Sequence, residues 1–125
     1  MTARFVLSLC ALTLVLGCKG TRPDAPLTGS ESLHDLMESM ESAAKPLFAR
    51  TAGAPLTETE LPTLTASANR ILAINAAVKT RFASKHPATF VGHSEQLEKG
   101  SQELVAALQA KDAAATQAAV KTIDG

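Results

Sequence analysis

The sequence predicts an all-α domain, an antiparallel up-down four-helix bundle with a short or truncated fourth helix, and three observations carry that prediction. Apolar residues recur at three- and four-residue steps through three long segments. Short joins rich in helix breakers separate those segments, and none of them alternates apolar and polar residues as a half-buried strand does. At 125 residues with 46% hydrophobic content, the chain can fill one core of this kind and not two.

The first helix follows from Leu33, Leu36, Met37, Met40, Leu47 and Phe48, with Ala43 and Ala44 in the intervening turn. Thr28 and Glu31 have capping-box spacing ahead of it, and Thr51-Ala52-Gly53 supplies a stop. Pro46 lies inside the pattern, where it removes one backbone donor and bends the helix near Glu41 to Lys45. The second helix begins among Thr57 to Glu60, with Pro62 placed in the first turn, where no intrahelical donor is needed. Its stripe is Leu61, Leu64, Ala68, Ile71, Leu72, Val78 and Phe82, and His86-Pro87 closes it. The third starts near Thr89 and aligns Phe90, His93, Leu97, Leu104, Val105 and Leu108. After Ala110-Lys111-Asp112 the fourth helix, Ala113 to Ile123, spans only about 16 Å against about 33 Å for the second. The expected core is Leu36, Met40, Leu47, Leu64, Ile71, Leu72, Val78, Leu97, Leu104 and Leu108.

Ahead of the bundle, Arg4 and the apolar run Phe5 to Leu16 read as an export signal covering residues 1–17. Twelve residues reach about 18 Å, too little for a bilayer core of roughly 30 Å. Leu14-Val15-Leu16-Gly17-Cys18 resembles the bacterial lipobox, which implies that Cys18 carries diacylglycerol after the signal is cut. The expectation is a lipoprotein of the bacterial cell envelope, with its domain facing the periplasm or the exterior. Residues 18–29, with Gly20, Pro23, Pro26 and Gly29, form a lipidated cysteine and flexible tether, and residues 30–125 form the bundle.

Loss of the leader takes Cys10 and Arg4, so the mature domain keeps no free thiol and 11 of the 12 Lys/Arg against 12 Asp/Glu. That excludes an internal disulfide, a cysteine nucleophile, a Cys-based zinc site and covalent haem. Near-neutral charge argues against a nucleic-acid surface, and the absence of Trp and Tyr removes stacking platforms. No GxSxG, phosphate loop, HExxH or distinctive carboxylate pair is present, so the chain is expected not to be an enzyme. Of the histidines, His34 sits at the helix boundary beside Asp35 and Glu38, and His86 reads as a loop residue. His93 lies on the third stripe, either as a partly buried, hydrogen-bonded polar residue or as a ligand. Met37 and Met40 suit a packing role.

One combination is more specific than a generic bundle: Leu33-His34-Asp35-Leu36-Met37-Glu38-Ser39-Met40, then Ala44-Lys45-Pro46-Leu47, then Phe90-x-x-His93-x-x-x-Leu97 leading to Leu104-x-x-Ala107-Leu108-x-Ala110-Lys111-Asp112. This resembles the class II cytochrome c family, cytochrome c-prime and its low-spin relatives, and the soluble b-type four-helix cytochrome. The resemblance implies haem between the helices, electron transfer, and Met37 as an axial ligand. It also makes His93 a weaker candidate ligand. The family's fourth helix ends in Cys-x-x-Cys-His or a lone axial histidine, whereas this sequence stops at Lys121-Thr122-Ile123-Asp124-Gly125. The resemblance thus implies either a cytochrome lacking its last turns or a descendant without haem, and no cofactor is expected in the chain as it stands. A b-type haem would draw on His93, His34 or His86. The expected partners are the membrane, through the lipid, and a redox or other protein, with a homodimer compatible with the bundle.

Overall fold

A computed structural model describes residues 25–85 and 87–125. The export signal, Cys18 and His86 lie outside the described residues. Four helices follow one another, α1 (Leu33–Phe48), α2 (Leu61–Phe82), α3 (Ala88–Gln109) and α4 (Ala113–Asp124), with a 3-10 turn at Ala83–Lys85 and no strand among the described residues. The fold is all-helical and bundle-like.

The first helix begins one turn later than the sequence suggests. Ser32 Oγ accepts from the Asp35 amide at 3.1 Å and Asp35 Oδ2 accepts from the Ser32 amide at 3.1 Å, a reciprocal cap. Thr28 and Glu31 have the same spacing, but Gly29 between them takes φ +83°, which no right-handed helix contains, so they close a turn before the helix instead. The chain passes through Pro46 for only two more residues. With no N–H to offer the turn below, Pro46 weakens the last turn, and the helix stops at Phe48, before Thr51-Ala52-Gly53.

Between α1 and α2, the nearly buried Arg50 side chain pairs with Glu60 and donates from Nη2 to the carbonyls of Ala54 (3.0 Å) and Pro55 (3.3 Å). Thr57 and Glu60 bond each other, and Pro62 occupies the first turn as expected. The α3–α4 join is tight: Lys111 adopts φ +54°, the Asp112 amide reaches back to the Ala107 carbonyl at 3.0 Å, and Asp112 Oδ1 caps the Ala115 amide at 2.9 Å.

Each helix packs on the next, α1 on α2, α2 on α3 and α3 on α4. Arg50–Glu60, Arg70–Ser39 and Arg81–Glu31 link the first pair, Asn75–Ser94 the second and Gln96–Thr122 the third. The core divides into two clusters. One draws on all four helices, with Ala43, Ala44 and Leu47, then Leu64, Ala68 and Ile71, then Leu104 and Leu108, then Ala119 and Val120. The other is Leu36, Ile74 and Val78, covered by the half-buried Leu27, Leu33, Met40, Ala77, Phe82 and Phe90, and α4 contributes nothing to it.

Seven of the ten expected core residues are buried; Met40, Leu72 and Leu97 are only half-buried. Leu72 lies about 100° round the helix from Ile71, at the edge of the buried stripe, and so stays only half-buried. Ile74, absent from the expected stripe, is fully buried in its place. Positions where helices approach closely hold small or polar residues, including Ser94, Gly100, Ser101 and Thr116. A Cβ on Gly100 would come within 3.1 Å of both Ile123 Cγ1 and Thr122 Cγ2.

Candidate functional site

The feature that organises this molecule's surface is the length of α4. Its 12 residues rise about 18 Å, while the 22 residues of α3 rise about 33 Å. The two helices meet side by side from the Ala110–Asp112 turn as far as Gly100, and Gln96 Nε2 reaches the Thr122 carbonyl at 3.4 Å near the end of α4. Toward its N-terminus α3 continues without that neighbour among the described residues.

This explains where His93 lies. His93, Gly100 and Ala107 recur at seven-residue steps and therefore share one face of α3. At Ala107 and Gly100 that face meets α4, and at His93 it has passed beyond it. His93 is consequently exposed rather than partly buried, which corrects its expected environment. On α1 the cause is rotation rather than height. Phe48 looks across a groove at Gln117, Val120, Lys121 and Asp124 of α4, and Met37 lies eleven residues earlier on the same side. Phe48 is 47% and Met37 39% exposed, the two large apolar side chains most open to solvent among the described residues. Both exposures thus follow from rotation on α1, which turns these two side chains to one side of the buried Leu36, Ala44 and Leu47.

The histidines do not converge. His34 is 80% exposed and lies 3.6 Å from Glu38 on the outside of α1. Among the described residues no group of three His, Cys, Asp or Glu side chains could hold a metal ion.

Haem, which the resemblance implies, needs a gap between helices with ligands facing into it. At the level of Met37 the space between the helices is filled by Leu36, Ile74 and Val78, each at most 2% exposed, and Met37 itself points outward. No thiol occurs among the described residues. These residues do not fit a haem as they stand.

The perturbed titrations belong to architecture. Glu31 is held down to about 2, first by the Thr28 amide, with the Thr28 hydroxyl and Gly29 amide also donating to it. The Ser32 side chain and then its amide lower Asp35, and Thr57 and then Arg50 lower Glu60. The hydrogen bond that Lys79 Nζ donates to Glu98 raises Lys79. Every one of these groups closes a cap, a loop or a helix–helix contact, so the usual reading of a perturbed pKa as a catalytic group does not apply.

Helical periodicity misses several residues that hold this arrangement. Arg70, between α1 and α2, donates to the Ala25 carbonyl and to Ser39 Oγ. Asn75 and Ser94 form a buried reciprocal pair, the amide donating to the Ser94 carbonyl at 2.9 Å and the Ser94 hydroxyl to Asn75 Oδ1 at 2.7 Å. The available signal was the mismatch in helix length, which already marks one end of the bundle as three-walled.

No protein-family model matches the chain, and neither a curated protein nor a solved structure does.

Proposed function

We propose that this chain is a lipid-anchored bacterial envelope protein whose antiparallel up-down bundle acts as a docking module for a protein partner, without catalysis. The observation that carries this reading is the outer face of α1, where Met37 and Phe48 are both exposed alongside a fourth helix that covers only half of the bundle. Large apolar side chains held open on a rigid element are what a protein interface uses as anchors. The up-down order is supported by the α1–α2 links, in which residues 50, 39 and 31 meet 60, 70 and 81 in turn. The extracytoplasmic address rests on the lipobox at Leu14 to Cys18.

Two experiments test the reading. A photo-reactive amino acid at Met37 in the full chain is expected to capture a protein in living cells, and the absence of any adduct overturns the docking role. Cys18→Ala is expected to release the chain from membranes, and equal membrane association of mutant and parent rejects the anchor.

The electron-transfer role implied by the resemblance keeps one observation in its favour: Met37 and His93 both lie on the part of the bundle that α4 leaves uncovered. Purified protein mixed with haem discriminates. A sharp Soret band lost in Met37→Ala places haem on Met37 and rejects the docking module as the principal role. Absorption that is unaffected by that substitution removes Met37 from the haem-ligand reading.

A further inference from the structure

We infer that the partner docked on the outer face of α1 is a second copy of this chain, bound with its own α1 antiparallel to the first. This rests on the docking reading above and names its occupant. The argument comes from the order of residues along the exposed stripe. Met37, Glu41, Lys45 and Phe48 follow one another at steps of four, four and three on the outside of α1, so they form a single seam of helix-packing period. Glu41 and Lys45 are 77% and 70% exposed and lie 4.0 Å apart, a separation at which each remains free to turn toward a neighbouring helix.

The seam is self-complementary in one direction only. Placed antiparallel, with Met37 opposite Phe48 of the other copy, the register brings Glu41 within one residue, about 1.5 Å of rise, of the level of Lys45. The two-fold axis then repeats both contacts, giving two apolar anchors outside two ion pairs. Placed parallel, Glu41 would face Glu41 and Lys45 would face Lys45, which like-charge repulsion disfavours. One helix face buries less than the roughly 1,200 Å² at which stable interfaces begin, so the pair is a weak one, detected best by trapping.

The test uses full-length chains in cell membranes under mild oxidation. Met37→Cys and Phe48→Cys, expressed together, are expected to give a disulfide-linked pair several-fold more abundant than Met37→Cys with Gln102→Cys on the exposed side of α3. The parent chain sets the background. Equal yields from the two combinations overturn the proposal.

Charge exchange checks the register independently. Glu41→Lys alone and Lys45→Glu alone, each placed in the cysteine background, should lower the trapped yield. Co-expressing one with the other restores opposite charges at both sites and should recover it. Recovery supports the antiparallel register, and failure to recover overturns it. An adduct at Met37 to a different protein, without cross-linking between copies, rejects the second copy while leaving the docking role standing.

Discussion

Among the described residues, the two ends of this bundle are built from the same kinds of residue and differ in the number of walls. Around Leu104 and Leu108, four helices close on a cluster of ten buried residues, several of them alanines that let the backbones approach. Around Leu36, Ile74 and Val78, three helices and the Leu27 segment do the closing, and most of the covering side chains stay half in solvent. The difference teaches that an apolar residue at a helical step is buried only where a neighbouring element exists at its height. Rotation matters as well: Leu47 and Phe48 are consecutive and nearly level, yet one is 2% and the other 47% exposed.

The sharpest way to break this comparison is to truncate one leucine at each end, the fully buried Leu104 and the half-buried Leu33. Leu104→Ala, in the four-walled end, should cost about 2–5 kcal/mol, a large part of a small domain's stability. Leu33→Ala, at the three-walled end, should cost less than half as much because its cavity opens to water. Similar shifts in denaturant midpoint for the two would show that the ends are equally well packed.

A smaller effect is expected where polarity links α2 and α3. Ser94→Ala removes the hydroxyl that satisfies Asn75 Oδ1 inside the bundle, and an orphaned buried acceptor costs about 1–3 kcal/mol. Asn75→Ala with Ser94→Ala should recover part of that loss, since no side-chain acceptor is then left without its donor. A double-mutant cycle by thermal unfolding measures the coupling.

Acid should loosen the three-walled end first. Glu31 ties the Thr28–Gly29 turn to Arg81 at the end of α2, and folding lowers its carboxyl from 4.5 to about 2. A group depressed in this way stabilises the fold fully above its unfolded value and ceases to do so as pH falls from about 4.5 toward 2. Hydrogen exchange should therefore rise at the start of α1 across that window, before the α3–α4 turn loses protection. Glu31→Gln should remove this part of the pH dependence while leaving the contributions of Asp35 and Glu60. An unchanged acid profile in Glu31→Gln would place the sensitivity elsewhere.

The smallest expected effect is at Met37. An exposed side chain with few neighbours should change folding stability by less than about 0.5 kcal/mol when cut to alanine. A loss comparable to that of Leu33→Ala would place Met37 in the core and remove the basis of the docking surface.

Much of the fold was legible because it depends on local rules. The 3.6-residue period finds four helices, Pro62 marks the first turn of α2, and Asp112 marks the start of α4. What the period could not decide was rotation and height. It placed Leu72 inward where Ile74 belongs, and it put His93 on a stripe whose facing helix ends before reaching it. Competition between two equally spaced caps also lay beyond it, until Gly29 settled the choice in favour of Ser32. The candidate surface was the least legible part. Met37 stood out in the sequence as a ligand or a core filler, and its rotation on α1, outward of the buried Leu36, leaves it outside.

The grip of Arg70 on the Ala25 carbonyl has a consequence for distance. Residues 25–29, expected to be loose tether, lie against the bundle, with Leu27 packed on the Leu36 cluster. If Cys18 is the anchor, only seven residues separate it from Ala25, and a chain of that length spans at most about 25 Å. The domain would then hover within its own length of the bilayer. Under that anchor, whatever meets the domain would have to come to that thin layer, either as a protein in the same membrane or as one that grazes its surface.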